Sequence, residues 1–305
     1  MIICQYCISI VLISASHYAI VTPVMTIQTW LKKSITQLTD ANVDSARLDA
    51  EILLADELNK DRSWIIAHSD FELSTDQIAK LINQVNYRST HLPLAYIRGH
   101  QEFYGRDFLV TPAALTPRPE TETMLGVLLE FTKTLGTKDT ENIKIIDIGT
   151  GTGCIAITAK LELPTSVVYA TEISKSALSV AKQNASKHEA NVIFMRADLM
   201  SRLGADVVDG AILCCNLPYV PDNYPINKAA KHEPAIALFS GKDGLSHYQD
   251  LFSSLAMLEQ RGQYPFAILT ESLVSQHEQL AQIAAKVGFK LQKTEDLIQF
   301  FSHIN

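Results

Sequence analysis

The sequence predicts a doubly wound α/β sheet that follows a small all-helical N-terminal domain and a β-hairpin. From Ile143 onward, short apolar runs alternate with segments at helical spacing, the pattern of parallel strands joined by crossover helices. The first run leads into the loop Gly149-Thr150-Gly151-Thr152-Gly153, whereas residues 26–92 show helical spacing alone. In such a sheet, ligands bind at the carboxyl ends of the strands.

The helical domain is predicted from capping signals and apolar periodicity. A first helix begins after Thr26, and Ser45 is placed to cap a second. A short helix follows around residues 63–67, and Ser74 with Gln77 forms a capping box for the next one. These helices carry no catalytic constellation, so their predicted role is to bind a partner or to support the next domain.

A β-hairpin and a proline-rich helix start connect the two domains. Residues 99–110 alternate aromatic and polar side chains around Gly105, which predicts the hairpin. The segment Thr116-Pro117-Arg118-Pro119-Glu120-Thr121-Glu122 then opens a helix, because proline and acidic residues favour a first turn. The polar residues 136–142 predict a loop.

Five sheet strands, intervening helices and a closing antiparallel pair are expected in the α/β part. The strands are predicted at 143–148, 167–171, 192–195, 208–215 and 266–270, the helices at 154–161, 176–186 and 275–287, and the pair at 289–294 and 297–302.

The composition is that of a globular protein in a reducing compartment. Of 305 residues, 47% are hydrophobic and 19% charged, and the net charge of −7 argues against a broad phosphate-binding surface. Five cysteines, an odd number, indicate reduced thiols, so we expect a cytoplasmic protein, and we expect a monomer. The pair Cys4 and Cys7 has no second ligand pair, so no metal site is predicted.

Residues 1–24 contain no Lys, Arg, Asp or Glu, and they fit neither a secretory signal nor a full membrane span. Because the helical pattern starts directly after Met25, we interpret Met25 as the natural start and the preceding residues as an extension; a membrane anchor is the alternative. We expect no membrane association. The predicted division is 1–24 extension, 25–95 helical domain, 96–118 hairpin linker and 119–305 α/β domain.

The fourth strand ends at Asn216-Leu217-Pro218-Tyr219, which is the central motif of the chain. Asn216 supplies an acceptor and two donors, Tyr219 a flat face, and Pro218 restricts the backbone of Leu217. The motif is suited to hold one small planar amino or amide group. A simple strand-ending turn is the alternative.

The glycine-rich loop favours a nucleoside cofactor without a pyrophosphate. Asp147 precedes the loop, and Cys154 stands where the dinucleotide fingerprint requires glycine. Glu172 ends the second strand, where its carboxylate is placed to accept hydrogen bonds from ribose hydroxyls, and Asp198 follows the third.

Taken together, these motifs resemble the HemK/PrmC family, which methylates the glutamine of the Gly-Gly-Gln loop in peptide chain release factors. The resemblance extends from Met25 to about Leu280. It is carried by the Asn-Leu-Pro-Tyr motif, the Thr-Pro-Arg-Pro-Glu-Thr-Glu segment, the hairpin, and the segments 49–54 and 233–245.

The resemblance implies a Rossmann-like methyltransferase sheet with S-adenosyl-L-methionine as cofactor and release factors as partners. It implies that Glu172 binds the ribose, that Asp198 lies near the adenine, and that Asn216 and the Leu217 carbonyl accept the two amide N–H bonds. The implied cofactor residues are Asp147, Gly149, Thr150, Gly151, Gly153, Glu172, Asp198 and Asn216, and the implied substrate residues are Arg118, Pro119, Asn216, Leu217, Pro218 and Tyr219.

Three departures from the family pattern leave alternatives open. Leu217 replaces the usual proline, Thr270-Glu271-Ser272 replaces Glu-Ile-Gly, and the C-terminus lacks the closing Gly-x-x-Arg. One alternative is methylation of a nucleic-acid base amino group, against which the acidic charge counts. The other is an inactive adaptor that binds the cofactor, which the altered C-terminal third suggests.

Overall fold

The computed structural model describes residues 25–135 and 142–304. Packing divides the chain into two units with a boundary after Val85, whereas the sequence placed a domain boundary after residue 95, which stays a prediction. The interpretation of residues 1–24 and most of the loop predicted at 136–142 lie outside the described residues.

The first unit is helical, as predicted. It contains α1 (Ile27–Asp40), α2 (Ala46–Leu58) and α3 (Arg62–Ala67), together with the start of α4 (Thr75–Ser89). Its largest buried side chains include Ile27, Leu38, Leu53, Leu54, Ile65 and Leu81.

Capping explains where two of these helices begin. Thr26 Oγ1 accepts from the Thr29 amide, and the Ser74–Gln77 capping box is present, with bonds of 3.3 and 2.9 Å. Ser45 stands at the predicted N-cap position of α2, but its hydroxyl forms no capping bond and instead donates to the Asp49 carboxylate at 2.8 Å.

The second unit opens with α5 (Leu94–Arg98) and the predicted hairpin, β1 (His100–Phe103) paired antiparallel with β2 (Arg106–Leu109). Both turn residues, Tyr104 and Gly105, have positive φ, which matches the right-handed twist of the strands. Phe103 and Phe108 are buried with their rings edge to face, so the hairpin is anchored by its aromatic side.

A seven-stranded sheet forms the body of this unit and confirms the predicted α/β class. Its order is β5-β4-β3-β6-β7-β9-β8, with all pairings parallel except those of β9. The strands are β3 (Lys144–Ile148), β4 (Val167–Glu172), β5 (Val192–Arg196), β6 (Ile212–Cys215), β7 (Ala267–Glu271), β8 (Phe289–Glu295) and β9 (Ile298–His303). The helices are α6 (Glu122–Thr134), α7 (Cys154–Glu162), α8 (Lys175–Lys187), α9 (Ala205–Val208), α10 (Ser246–Glu259) and α11 (His277–Ala285).

Two apolar clusters lie on opposite faces of the sheet. Along β3, Ile145 belongs to one cluster and its neighbours Ile146 and Ile148 to the other, as the two-residue period of a strand requires. The first cluster includes residues of α6 and α7, and the second includes residues of α10 and α11. Both faces of the central strands are therefore covered, which explains their continuous apolar sequences.

Several elements differ from the sequence prediction, which did not include the short helices α5 and α9. The fourth strand begins at Ile212 rather than at residue 208, because Val208 ends the short helix α9 and Gly210 turns the chain at a φ of 67°. Helix α10 was not predicted, although its buried residues recur at helical spacing.

Asn184 of α8 links three parts of this unit. Its side chain accepts from the Leu109 amide at 2.7 Å and donates to the carbonyls of Leu109 and Thr152 at 3.0 and 2.9 Å. The residue is fully buried, so no water replaces these bonds when the side chain is removed. Asn184 thereby holds the hairpin and the glycine-rich loop against α8.

We expect Asn184→Ala to lower the free energy of unfolding by about 3 kcal/mol, because it leaves buried backbone groups without partners. Chemical denaturation measures this loss. The neighbouring exposed Gln183→Ala is the control and should change stability by less than about 0.5 kcal/mol. Equal stability of the two variants would contradict the role given to Asn184.

Candidate active site

A cavity lies at the carboxyl ends of the central parallel strands, where the sequence placed the site. Its free space, counted out to the mouth, is about 1030 Å³. Nine of the predicted site residues line it: Arg118, Gly149, Thr150, Gly151, Glu172, Asp198, Asn216, Leu217 and Pro218. Thr121 of the proline-rich segment lies beside them.

The glycine-rich loop forms one wall and is held by the end of β4. The amides of Gly149 and Thr150 both donate to the Thr171 carbonyl at 2.9 Å. The Gly151 amide donates to Glu172 Oε2 at 2.9 Å, while the Ser174 amide donates to Glu172 Oε1 at 2.8 Å. Each carboxylate oxygen has further lone pairs, so Glu172 retains acceptor capacity towards the cavity.

Asp147 and Gly153 lie behind the cavity wall and not on it. The Asp147 carboxyl is completely buried and accepts from Thr150 Oγ1 at 2.5 Å and from the Ala156 amide at 3.1 Å. Its Oδ1 has no hydrogen-bond partner within residues 25–135 and 142–304, and burial raises the pKa of this carboxyl to about 7. Gly153 has a φ of 85° and packs against Ala181, where a Cβ atom would come within 3.2 Å of the alanine methyl.

The Asn-Leu-Pro-Tyr motif forms the opposite wall. Asn216 Nδ2 donates to Thr121 Oγ1 at 3.0 Å, and no described residue donates to the Asn216 side-chain oxygen or to the Leu217 carbonyl. The Leu217 side chain is only 2% exposed and packs in the cluster that contains Ile146 and Ile148. The motif therefore presents two unused acceptors while its leucine side chain belongs to the core.

Tyr219 does not line the cavity but fixes the motif from behind. Its hydroxyl donates to Glu271 Oε1 at 3.1 Å, and its carbonyl accepts from Gln276 Nε2 at 2.8 Å. Gly244 has a φ of 76° and approaches the same carbonyl so closely that a Cβ atom would lie 2.2 Å from the oxygen. This position therefore requires glycine.

Glu271 is the functional candidate that sequence reasoning missed. It ends β7, is 1% exposed, and accepts from the hydroxyls of Thr121 at 2.7 Å and Tyr219. Burial raises the pKa of its carboxyl above the usual range. The available signal was an acidic residue at the carboxyl end of the fifth strand, the position that singled out Glu172 on the second.

Arg118 borders the cavity and pairs with the buried carboxylate of Glu233. Glu233 also accepts from the Thr116 amide at 3.2 Å, so the proline-rich segment is tied to residues 233–237. Pro119 begins a 3₁₀ helix (Pro119–Thr121) and does not line the cavity. The lining residues that were not predicted as site residues are Ala113, Ala114, Leu115, Thr116, Pro117, Thr121, Thr152, Cys154, Ile155, Ile173, Ser174, Ala177, Ala197, Leu199, Pro234, Ile236, Ala237 and His247.

Cys154 lies in the cavity wall at the first turn of α7. It is a free, buried cysteine, and burial raises the pKa of its thiol to about 12. The adjacent cysteines Cys214 and Cys215 are fully buried in β6.

Two family models match the chain. A PrmC N-terminal domain matches residues 29–99, and a methyltransferase small domain matches residues 127–232. Together they cover the helical N-terminal part and the first half of the α/β sheet.

Relatives match over most of the chain. A release factor glutamine methyltransferase of Koribacter versatilis is 38% identical over 224 residues, which cover 72% of this chain and 78% of the relative. The one of Moorella thermoacetica is 35% identical over 242 residues, covering 78% and 83%. A bifunctional methyltransferase of Rickettsia bellii is 30% identical over 305 residues; the match covers 91% of this chain, which spans only about half (54%) of that longer protein.

The cavity residues fit a nucleoside cofactor. Glu172 offers a carboxylate for hydroxyl groups, the loop at Gly149 and Gly151 offers closely approaching backbone, and Ile173 and Leu199 offer apolar walls. With the matching domain, this defines a methyltransferase whose cofactor is S-adenosyl-L-methionine. More narrowly, the chain belongs to the release factor glutamine methyltransferase family. Among the described residues, no helix combines the length and apolar character needed to cross a bilayer.

The buried Asp147 predicts an unusual dependence of stability on pH. Its folded pKa of about 7 lies above the ordinary value of 3.8, so between these values the folded protein binds a proton that the unfolded chain does not. The free energy of unfolding should therefore fall as pH rises from about 4 to about 7, by up to about 4 kcal/mol from this group.

Denaturation of Asp147→Asn and of the wild-type protein across this pH range measures the contribution. The variant should lose most of that slope. Asp250→Asn removes an exposed carboxylate and should keep the slope of the wild-type protein. Parallel pH curves for wild type and Asp147→Asn would show that Asp147 does not titrate in this window.

Proposed function

We propose that this protein transfers the methyl group of S-adenosyl-L-methionine to the side-chain amide nitrogen (N5) of the glutamine in the Gly-Gly-Gln motif of peptide chain release factors. The observation that carries the proposal is the pair of unused acceptors at the end of β6, the Asn216 side-chain oxygen and the Leu217 carbonyl. A primary amide has two N–H bonds, which match two such acceptors. The names of the relatives support the same substrate.

The chemical difficulty of the reaction is that an amide nitrogen is a weak nucleophile, since its lone pair is delocalised. When bound, the cofactor supplies a methyl group on a cationic sulfur. Asn216 and Leu217 hold both N–H bonds and thereby aim the nitrogen, so that orientation provides much of the rate enhancement. As the N–C bond forms and the bond between the methyl carbon and the sulfur breaks, these acceptors also stabilise the positive charge that develops on nitrogen, and one proton then leaves the nitrogen for solvent.

The cofactor residues divide into those that touch it and those that shape its wall. We assign cofactor contacts to Gly149, Thr150, Gly151, Glu172 and Asp198, which line the cavity. Asn216 lies between the cofactor and the substrate amide in this assignment.

Several of the predicted site residues lie behind the cavity wall and support the residues that line it. Asp147 and Gly153 support the loop from the side facing away from the cavity. Arg118 borders the substrate side, and Pro119 and Tyr219 support it.

The proposal extends to the partner and the setting of the enzyme. The net charge of −7 favours a protein substrate over nucleic acid, which requires a basic path for phosphates. We further propose a monomeric enzyme that acts in the cytoplasm, where release factors function.

Asn216→Ala should reduce methyl transfer at least 100-fold, because it removes one of the two acceptors that orient the amide. Mass spectrometry of the release-factor peptide that contains Gly-Gly-Gln measures the product. Calorimetry with S-adenosyl-L-methionine tests whether the cofactor still binds.

Leu217→Pro is the matched variant in the same motif. It keeps the main-chain carbonyl and should retain transfer within about threefold, at some cost in core packing. An unmodified glutamine with wild-type enzyme at saturating cofactor would refute the proposed substrate. Methylation of RNA or DNA with a strong salt dependence would point instead to a base amino group.

Glu172→Ala should weaken binding of S-adenosyl-L-methionine by about 10- to 100-fold, since hydrogen bonds to a charged group contribute about 1.5–3 kcal/mol. Calorimetry gives the dissociation constant. Glu278→Ala removes an exposed carboxylate on α11 and should leave it unchanged. Equal affinities of the two variants would remove Glu172 from the cofactor site.

A further inference from the structure

We propose that Thr121 and Glu271 are positioning residues that decide which end of the Asn216 amide faces the substrate. The inference rests on the proposed function, in which the Asn216 oxygen accepts from the glutamine amide. It concerns a chain of three side chains: Asn216 Nδ2 to Thr121 Oγ1 at 3.0 Å, and Thr121 Oγ1 to Glu271 Oε2 at 2.7 Å.

The donor and the acceptor of each hydrogen bond in the chain are assigned by starting from Glu271. The hydroxyl of Thr121 donates to Glu271 Oε2, and the hydroxyl of Tyr219 donates to Glu271 Oε1. A threonine hydroxyl has one hydrogen. Once that hydrogen points at Glu271, the Thr121 oxygen can only accept from its other neighbour.

The other neighbour is the amide of Asn216, and the only group there that donates is Nδ2. The chain therefore fixes the orientation of the amide by hydrogen-bond logic, independently of how oxygen and nitrogen are assigned from shape. The Asn216 oxygen is left without a donor among the described residues. This is the orientation that accepts an N–H bond from a substrate amide.

The hydrogen bonds of this chain are buried. Thr121 is 2% exposed and Glu271 is 1% exposed, so water has little access to substitute for either partner. The backbone around them is also held, since the Tyr248 hydroxyl lies 2.8 Å from the Cys215 carbonyl and 2.6 Å from the Glu271 carbonyl. The ends of β6 and β7, which carry Asn216 and Glu271, are thus fixed to each other.

The Glu271 carboxyl also interacts with the Asn216 side chain, so Thr121 and Glu271 both favour the same orientation of the amide. Without the Thr121 acceptor, this preference weakens. In the reversed orientation, the NH₂ group of Asn216 faces the NH₂ group of the substrate. Because both groups are donors, the substrate amide binds poorly and its nitrogen is not directed towards the methyl group. The loss should therefore appear in the rate of transfer, while the cofactor, whose assigned contacts are with Gly149, Thr150, Gly151, Glu172 and Asp198, binds as before.

The test compares Thr121→Val with Thr121→Ser in the full-length protein. Valine has the shape of threonine without the hydroxyl, and we expect a 10- to 100-fold lower kcat for release-factor methylation with an unchanged dissociation constant for S-adenosyl-L-methionine. Serine restores the hydroxyl and should restore kcat to within about threefold of wild type. Thr123→Val removes a hydroxyl two residues away, from an exposed bond to Asp296, and should match wild type.

Glu271→Gln provides a second test of the direction of the bonds. A glutamine oxygen can accept from Thr121 while its NH₂ group donates to the Tyr219 oxygen, so the amide of Asn216 keeps its orientation. We expect this variant to lose much less activity than Thr121→Val. A loss as large as that of Thr121→Val would contradict the inference.

A measurement without substrate separates this inference from the proposed function. In NMR spectra of the protein, the side-chain amide protons of Asn216, identified by their absence in Asn216→Ala, should exchange slowly in wild type and Thr121→Ser and quickly in Thr121→Val. Fast exchange in wild type, or full activity of Thr121→Val, would overturn the inference. Slow exchange in a wild-type enzyme that methylates no release factor would overturn the proposed function alone.

Discussion

The site depends on the parallel pairing of β3 with a neighbour on each side. Ile148 at the end of β3 is in register with Thr171 on β4 and with Cys215 on β6. Because the three strands end at the same edge, the glycine-rich loop, Glu172 and Asn216 emerge side by side from chain segments that are far apart in sequence. The strand order reverses at β3, which leaves the crevice at this edge open for a ligand.

Buried carboxylates in this enzyme serve mainly to orient other groups. Asp147 holds the glycine-rich loop through Thr150, Glu172 holds it through Gly151, and Glu271 gathers two hydroxyls beneath the Asn-Leu-Pro-Tyr motif. A fourth buried carboxylate at the site, Glu233, pairs with a cation, Arg118. Burial without a counter-charge is costly, and the raised pKa values of Asp147 and Glu271 express that cost.

The sequence was most informative where local pattern decides structure. Alternating strands and helices predicted the sheet, the Ser74–Gln77 box predicted a helix start, and the strand ends predicted where Glu172 and Asn216 would lie. The contact between Thr121 and Glu271 could not be predicted from the sequence, because a contact across 150 residues follows only from strand order and register. Helix α10 was missed although its apolar spacing is regular, and Val208 was assigned to a strand because an apolar run does not reveal the turn at Gly210.

The cysteine in the cavity wall raises a question of chemical selectivity. A thiolate is a far stronger nucleophile than an amide, so an ionised cysteine beside a methyl donor would compete with the amide for the methyl group. Burial raises the pKa of the Cys154 thiol to about 12, so the thiol is protonated at neutral pH. The apolar burial that packs α7 against the sheet thus also keeps this thiol in its weakly nucleophilic form.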